Sequence, residues 1–365
     1  MKFKSMRAIA LAGVLAASAL TGCGINKDAT VAVLGNQEIK LGVANFYARY
    51  QQASFSDYIS YYASYYQYED PWHEDLMSSG DTTENSIKSS VMETVHEWYT
   101  LKAHMDEYKV ALTDEQEEKI KKAATDFMEA NSEEALAELG ATQEIVEEVL
   151  RLNTIQHMMR EAIIADVDTN VSDAEANMRA YSIITIPIGT HYEADGSQKE
   201  YTDDEVQQMT AKAKEFVARA KSADDKTYED LAKEYEYTAS AATYDADNDT
   251  LDAQLKEALD GLKAGEDATL VTTDANLYIV KITAETDKEA TENNRKSIIS
   301  DRQDKKYNEV LSKWQEDDGW EIKEKVWSKV VFDDFFSTST EEDTENGTEV
   351  GTEVETEVEA ETSTQ

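Results

Sequence analysis

Tyr181-Ser-Ile-Ile-Thr-Ile-Pro-Ile188 is where this chain stops reading as one helix after another and becomes a mixed protein. Most of its residues are Ile or Thr, whose branched side chains suit a pleated strand and lose rotamer freedom in a helix. Downstream, residues 189–201 carry Gly189 and Gly196 and read as a loop. Thr202-Asp-Asp-Glu205 has capping-box spacing and opens a helix running to about Lys221. Shorter helices follow near 227–236 and 251–260, and Ala268–Thr273 and Leu277–Ile282 read as two closing strands. The order β-α-α-α-β-β predicts a compact α+β unit with helices packed on a small sheet.

Upstream, Ser172-Asp-Ala-Glu175 starts a short helix just before that strand. Pro71 and Pro187 are the only prolines, which leaves the chain between them open to long helices. Asp81-Thr-Thr-Glu84 and Thr113-Asp-Glu-Gln116 both have capping-box spacing. Ile87, Val91, Val95, Trp98, Leu101 and Met105 recur at helical intervals after the first, and Ile120, Ala124, Phe127 and Met128 after the second. Residues 132–139 and 142–165 read as helices parted by Gly140, and Ala29–Ile39 reads as a hairpin about Gly35-Asn36. Beyond the mixed unit, 288–316 is a charged helix carrying Tyr307, Val310, Leu311 and Trp314. Trp320–Phe332 alternates apolar and polar residues as a strand does. The fold class is therefore α+β. A helix-rich module over 31–171, rejoined by a helix and strand over 287–332, flanks a small α+β domain over 172–286.

The two ends carry other signals. Lys2, Lys4 and Arg7 precede an uncharged, mostly Ala, Leu and Val run that stops at Leu20-Thr-Gly-Cys23. That run fits a secretory signal and is too short for a permanent membrane span. Cys23 is the sole cysteine, so no intrachain disulfide can form. Small residues before it resemble a bacterial lipoprotein signal. The resemblance implies removal of residues 1–22, lipid attachment at Cys23 and a tether over 23–30 on the extracytoplasmic face of the cell membrane. Residues 333–365 are rich in Thr, Glu and Ser with no Lys or Arg, and are expected to be disordered because they cannot bury enough apolar area.

The net charge is −41, with 76 acidic against 35 basic residues. A surface this acidic repels phosphate backbones, so no nucleic-acid partner is expected. It also repels anionic headgroups, so membrane attachment has to come from a covalent lipid.

Segment 172–286 resembles a parvulin-type peptidyl-prolyl isomerase domain. The resemblance rests on Ser182-Ile-Ile-Thr-Ile-Pro187, Tyr228-Glu-Asp-Leu-Ala-Lys-Glu-Tyr235, and above all Leu255–Glu266 followed by Thr272-Thr273 and Leu277-Tyr-Ile-Val-Lys-Ile282. With the lipoprotein signal and flanking helices, residues 23–332 resemble the PrsA/SurA group of extracytoplasmic foldases, PrsA lipoproteins most closely. The resemblance implies prolyl isomerisation, but the residues depart from it. Ser182 stands where the family usually has a first-strand histidine, and Tyr278 where it has a last-strand histidine. Leu251 and Leu255 replace the Met and Phe that line the proline pocket. The glycine-rich segment expected before that pocket is absent from Ser240 to Asp249, and Asp245 and Asp247 nearby take no assigned role. No confident catalytic residue remains, so isomerase activity is expected to be weak or lost. Ser182, Leu251, Leu255 and Tyr278 are retained as candidate substrate-binding positions, and packing of all four in the core is the bland alternative.

A second candidate site is Phe55-Ser-Asp-Tyr-Ile-Ser-Tyr-Tyr-Ala-Ser-Tyr-Tyr-Gln-Tyr68. On a helix, Tyr58, Tyr61, Tyr62 and Tyr65 share one face. Two readings stand: a cradle for unfolded chains, or a face packed on neighbouring helices, with the second preferred. The five histidines show no HExxH spacing, and neither a metal site nor a cofactor is expected. The expected partners are unfolded or newly secreted polypeptides and the membrane, with a homodimer left open. The alternative function is a non-chaperone envelope lipoprotein, either solute-binding or scaffolding.

Overall fold

The computed structural model describes residues 25–333 apart from 77, 193–195, 222–224 and 249. Cys23, the expected signal and tether residues 23–24, and the acidic tail beyond Asp333 lie outside the described residues. The described chain is α+β and divides into two units, residues 25–165 with 307–333, and residues 166–306.

The first unit opens with β1 (Thr30–Leu34) and β2 (Gln37–Lys40), joined through Gly35 at φ +56. Then come α1 (Leu41–Tyr66), α2 (Thr83–Ala103), α3 (Asp114–Ala130), α4 (Glu133–Glu138) and α5 (Gln143–Ile164). The α3 capping box forms as expected, with Thr113 and Gln116 exchanging bonds. The cap of α2 falls one residue later than its sequence spacing predicts. Thr82 accepts the Asn85 N–H, and Asp81 instead accepts from the Asn85 side chain at 2.8 Å. That shift leaves Glu84 free to turn inward. Gly140, at φ +64, separates α4 from α5, and a Cβ there would meet the Asn45 side chain at 2.6 Å, so only glycine fits. The core gathers Val31, Ile39, Leu41, Phe46, Val95, Trp98 and Leu152 between the hairpin and α1, α2 and α5.

The second unit contains α6 (Asp173–Ala176), β3 (Arg179–Pro187), β4 (Thr190–Tyr192), β5 (Gln198–Glu200), α7 (Asp203–Arg219), α8 (Asp225–Glu234), β6 (Ser240–Tyr244), α9 (Ala253–Gly261), β7 (Thr269–Thr272) and β8 (Asn276–Ala284). The sheet order is β6-β3-β8-β7, antiparallel throughout. Two expectations are corrected here. The sheet has four strands, because Ser240-Ala-Ala-Thr-Tyr244 adds an edge that its small residues conceal in a propensity reading. Within the segment expected to be a loop, Thr190–Tyr192 and Gln198–Glu200 pair as the antiparallel strands β4 and β5, with His191 opposite Lys199.

The helix α10 (Lys288–Gln315) begins in the second unit and ends in the first, the division falling between Lys306 and Tyr307. In its first part Arg302 donates to the carbonyls of Asp168 and Asn170 at 3.0 Å each. In its last part Tyr307, Val310 and Trp314 pack with Leu101, Ile155 and Met159. Residues 320–332 are not one strand. Only β9 (Glu321–Ile322) pairs, with β1, and α11 (Glu324–Trp327) follows at once. A two-residue pairing leaves most of the apolar alternation to serve packing: Trp327, Val330 and Phe332 are buried in the first core.

Candidate functional site

The four positions singled out in the second unit do not converge. Side chains alternate across a strand, so register decides which share a face. Thr185 pairs with Tyr278 and Ser182 with Lys281, which puts Ser182 and Tyr278 on opposite faces of the sheet. Ser182 is half-buried beside Tyr228, and the Lys281 ammonium lies over the Tyr228 ring at 5.2 Å. Burial pushes the Tyr228 hydroxyl up to about 12. Behind these residues α7 and α8 close a core of Ile184, Ile186, Phe216, Leu231 and Ile279.

Tyr278 does share the other face with Leu251 and with Leu255, which α9 carries. Tyr278 is half-buried, its hydroxyl accepting from Asn276 at 2.9 Å. The space beside them is already filled. Tyr181 and Tyr244 meet edge to face at 5.6 Å, and both are buried along with Leu255 and Leu259. Arg179 locks this arrangement, donating to the Tyr244 hydroxyl at 2.6 Å and to the carbonyls of Leu259 and Leu262 at 2.8 and 2.5 Å. Burial pushes the Tyr244 hydroxyl up, with Arg179 pulling against it. Sequence reasoning missed Tyr181, Tyr244 and Arg179. Their signal was parity: with Tyr278 on this face, Tyr181 and not Ser182 is its companion across β3, but that requires the register.

The tyrosine-rich end of α1 behaves otherwise. Gln52, Ser56, Ile59 and Ala63 form its buried stripe, and the tyrosines fall on the far side of the helix. The preferred expectation of a packed tyrosine face is therefore overturned. Tyr58, Tyr61 and Tyr65 are 53, 69 and 72% exposed, and Tyr62 is half-buried. Phe55, Tyr66 and Tyr68, the other rings of that stretch, are exposed too. The rings contact one another: Tyr58 and Tyr62 lie 4.5 Å apart, Tyr62 and Tyr66 6.2 Å, Tyr65 and Tyr66 4.9 Å. Lone surface aromatics are ordinary; here the tyrosine rings form a contiguous cluster, most of it exposed. Beside it, a cleft of about 270 Å³ between α1 and α2 is lined by Tyr47, Phe55, Ile87 and Val91 with Ser90 and Thr94.

No helix among the described residues is long and apolar enough to cross a membrane. No protein-family model matches the chain, and no curated protein matches it. Among solved structures, the chain is similar to PrsA foldases. That of Streptococcus pneumoniae is 18% identical over 66% of this chain and 88% of its own, with a TM-score of 0.27. That of Lactococcus lactis is 13% identical over 83% of this chain and 100% of its own, at 0.30. A SurA-like chaperone structure from Campylobacter jejuni is 12% identical over 80% and 99%, at 0.27.

Proposed function

We propose that this chain is an extracytoplasmic chaperone of the foldase type. A lipid on Cys23 holds it at the membrane face, and the aromatic end of α1 keeps newly secreted polypeptides from aggregating. The observation that carries this reading is the run of mutually touching, mostly exposed tyrosine rings from Tyr58 to Tyr68. Tyrosine offers large apolar area with a polar tip, which suits capture of many unfolded sequences without a fixed motif. Changing Tyr58, Tyr61, Tyr62 and Tyr65 together to serine weakens capture of a reduced, unfolding client by about tenfold or more. Light scattering at equal chaperone concentration reads the loss. Unchanged protection by a variant of native circular dichroism would sink the proposal.

The sequence resemblance of 172–286 to parvulins implies an isomerase, and the arrangement of the replaced positions supports activity that is weak or lost. The amide must lose resonance against a barrier of about 20 kcal/mol, so a catalyst needs an open apolar pocket and polar groups aimed at the twisted bond. Here Leu255 is buried on the inner side of α9, and Ser182 is on the opposite face of the sheet from Tyr278. In a prolyl tetrapeptide, cis–trans exchange measured by NMR is expected to stay within about twofold of the uncatalysed rate. Acceleration lost in Tyr278→Ala would show that a working site exists here after all.

A further inference from the structure

Two features surround the aromatic run. Between Arg49 and Lys88 the sequence has no lysine or arginine, yet Asp57, Glu69, Asp70, Glu74, Asp75 and Asp81 fall within it. All six carboxylates belong to exposed residues. The basic group among them is His73, held by Asp70 at 2.8 Å. The aromatic surface is thus edged on its loop side by negative charge, and ring faces themselves attract cations.

The second feature is the cleft between α1 and α2, whose mouth includes Phe55, the first ring of the exposed run. Its hydroxyl groups do not face an occupant: Ser90 and Thr94 donate back to the carbonyls of Ser86 and Ser90 at 3.1 and 2.9 Å. The amide of Gln51 is engaged by the Tyr47 hydroxyl at 2.7 Å. With its polar atoms satisfied internally, the cleft presents an apolar lining and has room for an apolar side chain.

We propose that this surface selects unfolded polypeptide segments in which an apolar side chain is flanked by lysine or arginine. The apolar residue enters the α1–α2 cleft past Phe55, and the flanking cation lies against the tyrosine rings within reach of the acidic edge. The inference rests on the chaperone reading and names its client class. Charge complementarity selects the occupant: acidic segments meet like charge, and an anionic bilayer is repelled for the same reason.

The test uses the full chain and three fluorescein-labelled peptides of equal length on a Gly/Ser background, one with Leu and Lys, one with Leu and Glu, one with Ser and Lys. By anisotropy at low salt, the Leu/Lys peptide is expected to bind about tenfold or more tightly than either of the others. Raising the salt narrows the Lys-over-Glu gap through screening. Glu69→Lys with Glu74→Lys shrinks that gap as well, and Ser90→Phe, which fills the cleft, lowers the Leu-over-Ser gap. Equal binding of the Lys and Glu peptides, abolished by the four-tyrosine variant, overturns the charge selection and leaves the chaperone reading standing. Binding indifferent to the four-tyrosine variant overturns both. Tyrosine-dependent binding to phosphatidylglycerol vesicles in place of peptides makes the surface a lipid-binding one and overturns the proposal.

Discussion

Glu84→Ala is expected to destabilise the first unit by about 3–5 kcal/mol, the cost of leaving a buried charge without its partner. Glu84 and Lys88 are both buried, one turn apart on α2, with their charged groups 3.0 Å from each other. The other carboxylate oxygen of Glu84 accepts the backbone N–H of Phe332 at 2.9 Å. Lys88 also donates to the Val330 carbonyl at 2.5 Å and lies over the Trp327 ring. One carboxylate therefore holds the first turn of α2, an ammonium ion and the end of the described chain together. Its removal orphans the Lys88 charge and the Phe332 N–H at once. It also loosens Phe332, which packs edge-on against Trp72 at 5.5 Å. All five tryptophans belong to this unit, so urea unfolding followed by tryptophan fluorescence reads the effect directly. Glu84→Gln, which keeps an acceptor for Phe332 but loses the charge, is expected to fall between alanine and wild type. A midpoint unchanged in Glu84→Ala would mean that the pair contributes nothing.

Phe216→Ala is expected to cost the second unit a similar amount, about 3–5 kcal/mol, through lost burial and the cavity left behind. Phe216 is fully buried on α7, and three tyrosine rings stand edge-on around it: Tyr228 and Tyr235 at 5.4 Å and Tyr237 at 5.6 Å. It joins α7 and α8 to Ile184 and Ile279 of the sheet. The unit contains no tryptophan, so hydrogen exchange of the β3 and β8 amides is the suitable measurement. Their protection falls in Phe216→Ala and recovers in part in Phe216→Leu, which refills some of the volume. Unaltered protection in the alanine variant would show that this aromatic cluster does not hold the helices to the sheet.

Much of the architecture was legible because its signals are local. Capping boxes at Thr113 and Thr202, the Gly35 turn and the break between helices at Gly140 each depend on a few neighbouring residues. The isoleucines of β3 and β8 announce buried strands by composition alone. The errors occurred where the deciding interaction is distant in sequence. β6 is a strand because β3 lies beside it, not because Ser240-Ala-Ala-Thr-Tyr244 favours one. Trp320–Phe332 alternates like a strand, yet its apolar residues fill a core built by α1 and α2.

The candidate sites divide the same way. Helical periodicity was enough to put Tyr58, Tyr61, Tyr62 and Tyr65 on one face of α1. It could not say whether that face is covered, because covering is done by residues elsewhere in the chain. Likewise the strand sequences of β3 and β8 identify two alternating ribbons, and only their pairing puts Ser182 and Tyr278 on opposite sides. The amino-acid sequence by itself determined the α+β class, the local elements and the grouping of tyrosines on α1. The tertiary structure decided that the tyrosines face solvent while the sheet pocket is filled. The physical reason is that periodicity is a property of one element, whereas exposure and register are properties of a pair.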